Sequence, residues 1–417
     1  MTEQVKRVLA NAGMIDPLSR AQYEQVGGFE ALRRAAADPE MILAEISASG
    51  LCGRGGAYFP VGKKWSLVRD TPAAQKYVVA NADEGEPGTC KDRLILKSLP
   101  REVLEGMVVA GIASGASEGI LYLRGEYADL EPMLQRIIDE DTRDGYLGSN
   151  IFGSGHDFNV RIVMGEGSYL CGEETALLES LEGYRAEPRL KPPYPGVSGY
   201  LKSPTVINNV ETLANVPAVI RDGAAAFRSC GTERLPGTKL FTASGDVQRP
   251  GVYELPIGAS LRDLYELAGG INGGRQLKGM QIGGASGSLV RAGCLDACMD
   301  PEGCAAIGTM LGTGSVLFFP EGESAVSICL RSIRFFADES CGKCTPCRQG
   351  LEQMRRILAA MDQGQVRKQQ LEELGMLAAY VGRNAFYGLG QMAVTPVLTG
   401  LKNFPEDFEA RVRKEEF

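Results

Sequence analysis

Histidine is almost absent from this chain of 417 residues, which contains only His156. A single histidine argues against histidine metal sites and against Ser-His-Asp triads or Cys-His nucleophile pairs, which all need an imidazole. Chemistry carried by a bound cofactor has no such requirement. The composition therefore favours hydride or electron transfer through a cofactor.

Long apolar runs and basic runs are also missing. The longest apolar stretches, such as residues 107–113, are far shorter than the ~20 residues that cross a membrane. Residues 1–6 contain no apolar signal-peptide core, and a net charge of −8 argues against a nucleic-acid partner. We therefore expect a cytoplasmic protein without direct membrane insertion, held at the inner face of the cell membrane only through partners.

The first half of the chain predicts an α/β architecture. Residues 1–48 contain strong helix formers, and residues 49–235 alternate short apolar strands with helical segments. The strand candidates are residues 77–80, 119–123 and 159–164, and the helix candidates are residues 104–113 and 174–181.

The second half changes texture twice. Residues 236–321 predict a hairpin, a helix over 260–268 and later strands, which is typical of a small β-grasp-like module. Residues 322–417 show apolar side chains at helical spacing and predict a C-terminal helix bundle. The predicted buried positions are Leu351, Met354, Ile357, Leu358, Met361, Leu371, Leu374 and Tyr380.

A glycine-rich turn at residues 53–57, Gly-Arg-Gly-Gly-Ala, is the first candidate phosphate site. Glycines let backbone N–H groups converge on a phosphate, and Arg54 or Lys64 adds positive charge. It is not a P-loop, because no hydroxyl residue for magnesium follows the lysines. The alternative is a surface turn without a ligand.

Polar residues follow several of the predicted strands. Asp83, Glu84 and Glu86 come after the first strand, where the ligand crevice of an open α/β sheet lies. Glu174 and the pair Asn208-Asn209 stand at two helix starts. Such groups either bind the hydroxyls and ring edge of a cofactor or cap the following helices.

Cys341, Cys344 and Cys347 have C-x2-C-x2-C spacing, which is typical of iron–sulfur ligation, with zinc as the main rival. A fourth ligand normally comes from elsewhere, but no cysteine follows Cys347. We expect seven of the other cysteines to be packed small residues, because they lie on an apolar run, have irregular spacing or stand alone: Cys52, Cys90, Cys230, Cys294, Cys298, Cys304 and Cys329.

Taken together, these motifs resemble the NADH-binding flavoprotein subunit of respiratory complex I and its relatives in NAD-linked hydrogenases and formate dehydrogenases. The resemblance covers nearly the whole chain. The motifs that carry it are residues 53–57, 81–84, 86–89, 171–176, 191–193, 208–212 and 339–348.

The resemblance implies an α/β fold of four parts. It implies an N-terminal helical segment (1–48), a Rossmann-like FMN/NADH-binding domain (49–235), a small β-grasp, SLBB-like domain (236–321) and a C-terminal four-helix iron–sulfur domain (322–417). It also implies an FMN-dependent NADH dehydrogenase that passes electrons from NADH through FMN to iron–sulfur centres. Its implied partners are a small thioredoxin-like 2Fe–2S subunit and further iron–sulfur subunits of a redox complex.

The resemblance also implies site residues, none of them acting as acid or base. The FMN positions are Gly53, Arg54, Gly55, Gly56, Lys64, Asn81, Asp83, Glu84, Asn208, Asn209 and Thr212. The NADH positions are Phe59, Glu86, Glu174, Lys191 and Tyr194. The cluster ligands are Cys341, Cys344 and Cys347.

Three residues depart from the family pattern. Tyr58 replaces a glycine beside the nicotinamide pocket, and Leu67 replaces a phenylalanine that could stack on adenine. Tyr387 replaces the cysteine that is the family's fourth cluster ligand. The cluster is then 4Fe–4S with an altered ligand or 3Fe–4S, or the site holds zinc or nothing.

The departures define a competing function, an FMN and iron–sulfur relay subunit that no longer oxidises NADH. A third interpretation, a sugar- or cobalamin-binding β-grasp module, accounts for residues 237–320 alone.

Overall fold

The structure, a computed structural model, describes residues 5–413. Residues 1–4 of the N-terminal segment and residues 414–417 of the C-terminal region lie outside the described residues. Among the described helices, none combines the length and the apolar character needed to span a bilayer.

The described chain contains two sheets, surrounding helices and a helical C-terminal region. The strands are β1 (Tyr77–Ala82), β2 (Glu118–Leu123), β3 (Asn159–Met164), β4 (Thr205–Asn209), β5 (Thr238–Gly245), β6 (Gly251–Pro256), β7 (Leu277–Ile282), β8 (Ser288–Arg291) and β9 (Ser315–Pro320). The helices are α1 (Arg20–Gln25), α2 (Glu30–Ala37), α3 (Glu40–Ser49), α4 (Val61–Asp70), α5 (Lys91–Ser98), α6 (Pro100–Ser114), α7 (Glu131–Arg143), α8 (Glu174–Leu181), α9 (Val210–Asp222), α10 (Ala224–Phe227), α11 (Leu261–Leu267), α12 (Pro301–Ala306), α13 (Ala325–Asp338), α14 (Thr345–Asp362), α15 (Lys368–Asn384), α16 (Gly388–Met392), α17 (Thr395–Asn403) and α18 (Pro405–Glu409).

The first sheet is parallel, with strand order β3-β2-β1-β4. The chain runs outward from β1 through β2 to β3 and then returns to the other side of β1, so the strand order reverses between β1 and β4. A crevice forms at the carboxyl ends of strands at such a reversal. Asn81 and Asn209 are paired across these two strands, at that end. The strand predictions for β1, β2 and β3 are confirmed, whereas β4 was missed because its five residues carry too little periodicity.

The second sheet is mixed, with strand order β6-β5-β9-β7-β8. The predicted hairpin is confirmed as β5 and β6, and the predicted helix follows it as α11. Ser260 and Asp263 form a capping box that fixes the start of α11. The late strand β9 pairs with β5 in parallel, so the sheet is complete only when this last strand of the region is in place.

In the C-terminal region, α13, α14, α15 and α17 pack around a common apolar core. The predicted face of α14 is buried. On α15 the prediction of a buried Tyr380 is wrong, because this residue is 56% exposed. The buried face of α15 consists of Leu374, Ala378 and Val381, and Tyr380 falls outside this helical spacing.

Helices α6 and α9 approach so closely that a glycine is required between them. A Cβ atom at Gly106 would lie 2.1 Å from the carbonyl oxygen of Leu213. Helix α9 begins directly after β4, so this contact also sets the height of the α9 amino terminus above the sheet.

We expect Gly106→Ala to lower the free energy of unfolding by about 2 kcal/mol, because the added methyl group must push two packed helices apart. Gly375 in α15 is the matched control, since its Cβ would find the nearest atom at 3.6 Å. Gly375→Ala should stabilise the chain by up to about 1 kcal/mol through helix propensity. Urea unfolding of both variants checks this, and equal effects would contradict the close packing.

Candidate functional site

Two adjoining cavities lie at the carboxyl ends of β1 and β4. The outer cavity has a volume of about 650 Å³ and the inner one about 330 Å³. Their shared lining residues are Gly55, Asn81, Gly172, Glu173 and Asn209. The two cavities therefore form one continuous crevice at the point where the strand order reverses.

Most of the predicted site residues line this crevice. The outer cavity contains Gly53, Gly55, Phe59, Lys64, Asn81, Glu174, Lys191, Tyr194, Asn208, Asn209 and Thr212. The inner cavity contains Gly55, Asn81, Asp83, Glu84, Glu86 and Asn209. Arg54 and Gly56 are the two predicted FMN positions that line neither cavity.

The glycine turn lies against the amino terminus of α9. The Arg54 amide donates to the Thr212 hydroxyl at 2.8 Å, and a Cβ at Gly55 would lie 3.2 Å from the Cβ of Asn209. Gly56 has a φ of +119°. The turn therefore needs glycine both for its backbone conformation and for its distance from α9.

The Arg54 guanidinium points away from the crevice. It is fully buried and donates to the carbonyl oxygens of Pro236 at 2.8 Å, Thr238 at 3.1 Å and Cys52 at 3.2 Å. Burial lowers the pKa of Arg54. The predicted charge on a phosphate thus finds no support in this geometry, and the side chain instead joins the glycine turn to the second sheet.

Lys64 is the cation on the wall beside the glycine turn. Its ammonium donates to the carbonyl oxygen of Ile207 at 3.0 Å and lies 3.4 Å from Glu174. Lys191 approaches Glu173 at 2.8 Å and Glu174 at 2.9 Å. The outer cavity therefore presents alternating charges on one wall, while the half-exposed rings of Phe59 and Tyr194 provide flat apolar surface.

A buried charge cluster that sequence reasoning missed lies under the glycine turn. Glu211 is fully buried and pairs with Lys91 at 3.0 Å and Lys239 at 3.5 Å. Lys239 also donates to the carbonyl oxygen of Arg54 at 3.0 Å. Burial lowers the pKa of Lys239 to about 8, whereas the two lysines outweigh burial and hold the pKa of Glu211 below its ordinary value. A lysine inside an apolar strand was the available signal.

The acidic loop separates into two roles. Glu84 accepts from the amides of Asp92 and Arg93 at 3.0 Å each and from the Tyr127 hydroxyl at 2.9 Å. It therefore caps α5, which is the helix-capping alternative. Both carboxylate oxygens of Asp83 are buried and have no hydrogen-bond partner in the described structure. Burial raises the pKa of Asp83 to about 7.

Glu86 lies deeper than its predicted place beside NADH. Its carboxylate accepts from the Tyr169 hydroxyl at 2.7 Å and from the Ala285 amide at 2.5 Å, and burial raises its pKa. The amide of Tyr169 in turn donates to Glu339 at 3.0 Å. This chain of contacts ties the floor of the inner cavity to the second sheet and to the cysteine segment.

Tyr58 and Leu67 line the outer cavity without closing it. Tyr58 has a left-handed backbone, with a φ of +52°, and its hydroxyl donates to the carbonyl oxygen of Gly312 at 2.9 Å. Its ring packs against the core of the second sheet. The side chain is thus drawn toward the second sheet, and the cavity of about 650 Å³ stays open beside it.

The cysteine segment meets the inner cavity at Tyr387. The Tyr387 side chain packs against two apolar clusters, one containing Cys341 and the other containing Cys347 with Cys344 at its edge. Burial and then the neighbouring thiols raise the pKa of Tyr387 well above its ordinary value. Its hydroxyl is buried without a hydrogen-bond partner in the described structure, while Tyr387 itself lines the inner cavity.

The three thiols do not converge on one point. Within residues 5–413, no three histidine, cysteine, aspartate or glutamate side chains are arranged to hold a single metal ion. This gives no support to zinc, whose ligands all lie about 2.0–2.3 Å from one ion. Among the cysteines predicted to be packed, Cys329 is buried in the core, as expected. Cys90 and Cys298 are exposed, so for these two residues the prediction is wrong.

The fold and crevice define a class: a parallel α/β cofactor-binding protein with a thiol segment at the end of its crevice. Family profiles match the Nuo51 FMN-binding domain over residues 46–218, the SLBB domain over 240–289 and the NADH-ubiquinone oxidoreductase-F iron-sulfur binding region over 327–411.

Individual relatives cover nearly the whole chain. The F 2 subunit of the NADH-quinone oxidoreductase of Rhizobium meliloti is 45% identical over 98% of this chain and 97% of its own length. The HndC subunit of the NADP-reducing hydrogenase of Solidesulfovibrio fructosivorans is 40% identical, covering 98% and 84%. The crystal structure of the H2-reduced NAD+-reducing [NiFe]-hydrogenase superposes with a TM-score of 0.87 and 36% identity, covering 99% and 68%. The chain belongs to the family of NADH-quinone oxidoreductase F subunits.

The unpartnered Asp83 predicts a pH dependence of stability in the cofactor-free protein. An acid whose pKa is raised on folding destabilises the folded state above its unfolded pKa, and the full cost is reached above the folded value of about 7. The free energy of unfolding of Asp83→Asn relative to that of the wild type should therefore increase by about 2 kcal/mol when the pH is raised from 5 to 8.

Urea unfolding of the FMN-free protein at the two pH values measures this difference. Asp38→Asn is the control, since Asp38 is exposed and lies outside the crevice. The same pH response in both variants would show that Asp83 ionises normally.

Proposed function

We propose that this chain is the FMN-dependent NADH dehydrogenase subunit of a multisubunit redox complex, and that it passes electrons from NADH through FMN to iron–sulfur centres. The observation that carries the proposal is the continuous crevice. Its outer cavity is large and has aromatic and charged walls, and its inner cavity ends at Tyr387 beside three cysteines. The NADH site, the FMN site and the cysteines through which electrons leave would thus follow one another along the crevice.

The residues of the crevice fit FMN. The glycine turn and Lys64 suit its phosphate, and the unpartnered Asp83 carboxylate suits the ribityl hydroxyls, which are donors that a buried carboxylate needs. Asn81, Asn208, Asn209 and Thr212 provide further polar groups on the same wall. Bound FMN supplies the ability to accept two electrons from a nicotinamide and to release them singly.

NADH fits the outer cavity. Phe59 and Tyr194 offer ring faces to a planar base, and Lys191 and Glu174 offer charged groups to the ribose and phosphate portions. The chain would contribute positioning and no proton transfer, because bound FMN would itself take up hydride from the nicotinamide. Glu86, which Tyr169 and Ala285 hold in place, lines the inner cavity and not the outer one.

We assign the domains as an N-terminal helical segment (1–48), a Rossmann-like FMN domain (49–235), a β-grasp domain (236–321) and a four-helix iron–sulfur domain (322–417). The three family matches support this order of domains, since they cover residues 46–218, 240–289 and 327–411. Cys341, Cys344 and Cys347 are the proposed cluster ligands.

The relatives are named as subunits of larger enzymes, which supports partner subunits here as well. We propose a small thioredoxin-like 2Fe–2S subunit and further iron–sulfur subunits, which would hold the chain at the inner face of the cell membrane. A net charge of −8 suits docking to a more basic partner.

Anaerobic addition of NADH to the purified FMN-loaded chain should bleach the flavin absorbance at ~450 nm, because both cofactor sites lie in one crevice. Dithionite serves as the control for flavin that can be reduced by any donor. Reduction by dithionite but not by NADH would refute the proposal and favour the relay function, in which the chain takes electrons from another donor.

Lys64→Met should raise the Kd for FMN about tenfold, because it removes the cation from the wall beside the glycine turn. Lys63→Met is the matched control: Lys63 is the preceding residue of α4, is exposed and lines neither cavity. Fluorescence titration of FMN into the cofactor-free variants measures both constants. Equal affinities would remove Lys64 from the site.

A further inference from the structure

The side chain of Tyr387 contains a buried polar atom whose role the fold alone does not explain. Its hydroxyl is shielded from solvent and has no hydrogen-bond partner within the described residues. Buried polar atoms in native structures are nearly always satisfied, and an exception indicates a missing ligand, ion or water.

The surroundings of Tyr387 point to the cysteine segment. Its side chain packs against the apolar clusters that hold Cys341, Cys347 and Cys344. The residue also precedes α16, whose Gly390 lies so close to Cys347 that a Cβ there would be 3.1 Å from the sulfur. The Tyr387 side chain is thus held against the cysteine segment at the start of α16.

The three thiols are also held by their own neighbours. The Cys347 sulfur lies 3.3 Å from the Ser340 hydroxyl, and the Cys344 sulfur accepts from the Phe386 amide at 3.4 Å. Hydrogen bonds to sulfur are a common feature of iron–sulfur sites, where they tune the cluster. These thiols supply three of the four protein ligands that a 4Fe–4S cluster takes.

We propose that Tyr387 is the fourth ligand of this cluster and binds one iron through its phenolate oxygen. The inference rests on the proposed function only in taking the group at Cys341, Cys344 and Cys347 as an iron–sulfur cluster. Ligation forms one iron–oxygen bond, the phenol releases its proton to water, and no electron is transferred. Tyrosinate is an established iron ligand in haem proteins.

The ligand identity can be tested on the full-length FMN-loaded chain, purified or reconstituted anaerobically. Iron and sulfide are counted per chain, and resonance Raman spectra are excited in the visible iron–phenolate band. We expect about four irons per chain and enhanced tyrosinate ring modes in the wild type. Tyr387→Phe keeps the ring but removes the oxygen, so it should lose these modes and fall to about three irons.

Tyr387→Cys should keep about four irons but lose the tyrosinate modes, because a thiolate replaces the phenolate. Tyr380→Phe is the control: Tyr380 is exposed on α15, and its loss should leave iron content and spectra unchanged. FMN content and the thermal unfolding midpoint of each variant show whether it folds, and a fold lost in Tyr387→Phe leaves the wild-type and Tyr387→Cys spectra to decide.

Three results would overturn the proposal: a wild-type chain with three irons and no tyrosinate modes, modes that survive in Tyr387→Phe, or a wild-type chain that binds no cluster. NADH-dependent flavin bleaching, recorded on the same samples, separates these failures from failure of the proposed function. Bleaching with either of the first two results refutes Tyr387 ligation alone, whereas bleaching without any cluster also refutes Cys341, Cys344 and Cys347 as cluster ligands.

Discussion

The crevice depends on the ion pairs and hydrogen bond of one buried carboxylate, that of Glu211. It stands in the first turn of α9 and binds Lys91 from α5, Lys239 from the second sheet and the amide of Leu240 at 2.8 Å. Removing one partner of a buried ion pair costs about 3–5 kcal/mol, because the remaining charge cannot reach water. The ion pairs of Glu211 therefore fix the positions of the parallel sheet, helix α5 and the second sheet relative to one another.

The same cluster places the glycine turn. Lys239 donates to the backbone of Arg54, whose guanidinium binds the carbonyl groups of Thr238 in β5, of Pro236 just before β5 and of Cys52. Two cations are thus used to build the wall of the crevice rather than to contact a ligand. The positive charge left at the outer cavity comes from Lys64 and Lys191, both partly balanced by Glu174.

Environment separates three carboxylates that the sequence places within four residues. Glu84 is satisfied by two helix amides and a tyrosine, Glu86 by a tyrosine and one amide, and Asp83 by nothing in the described structure. A buried carboxylate without donors destabilises the protein alone, and a ligand rich in hydroxyl groups would reverse that cost. Tyr387 presents the same situation at the far end of the inner cavity.

Strong local signals were enough to predict β1, β2 and β3, the hairpin of β5 and β6, and the buried face of α14. Most of the cofactor and substrate positions named from the sequence do line the crevice. Asp83 and Glu86 could be placed there because polar groups after parallel strands meet at one sheet edge, whereas Phe59, Lys191 and Tyr194 were implied by the family resemblance.

Which of these groups face the crevice could not be predicted from local signals. The Arg54 guanidinium binds carbonyl groups, Glu84 caps a helix and Tyr58 packs on the second sheet, while Lys239, from a strand far along the chain, binds beneath the glycine turn. The physical reason is that a buried polar side chain must find a partner, and that partner is fixed by packing between distant segments.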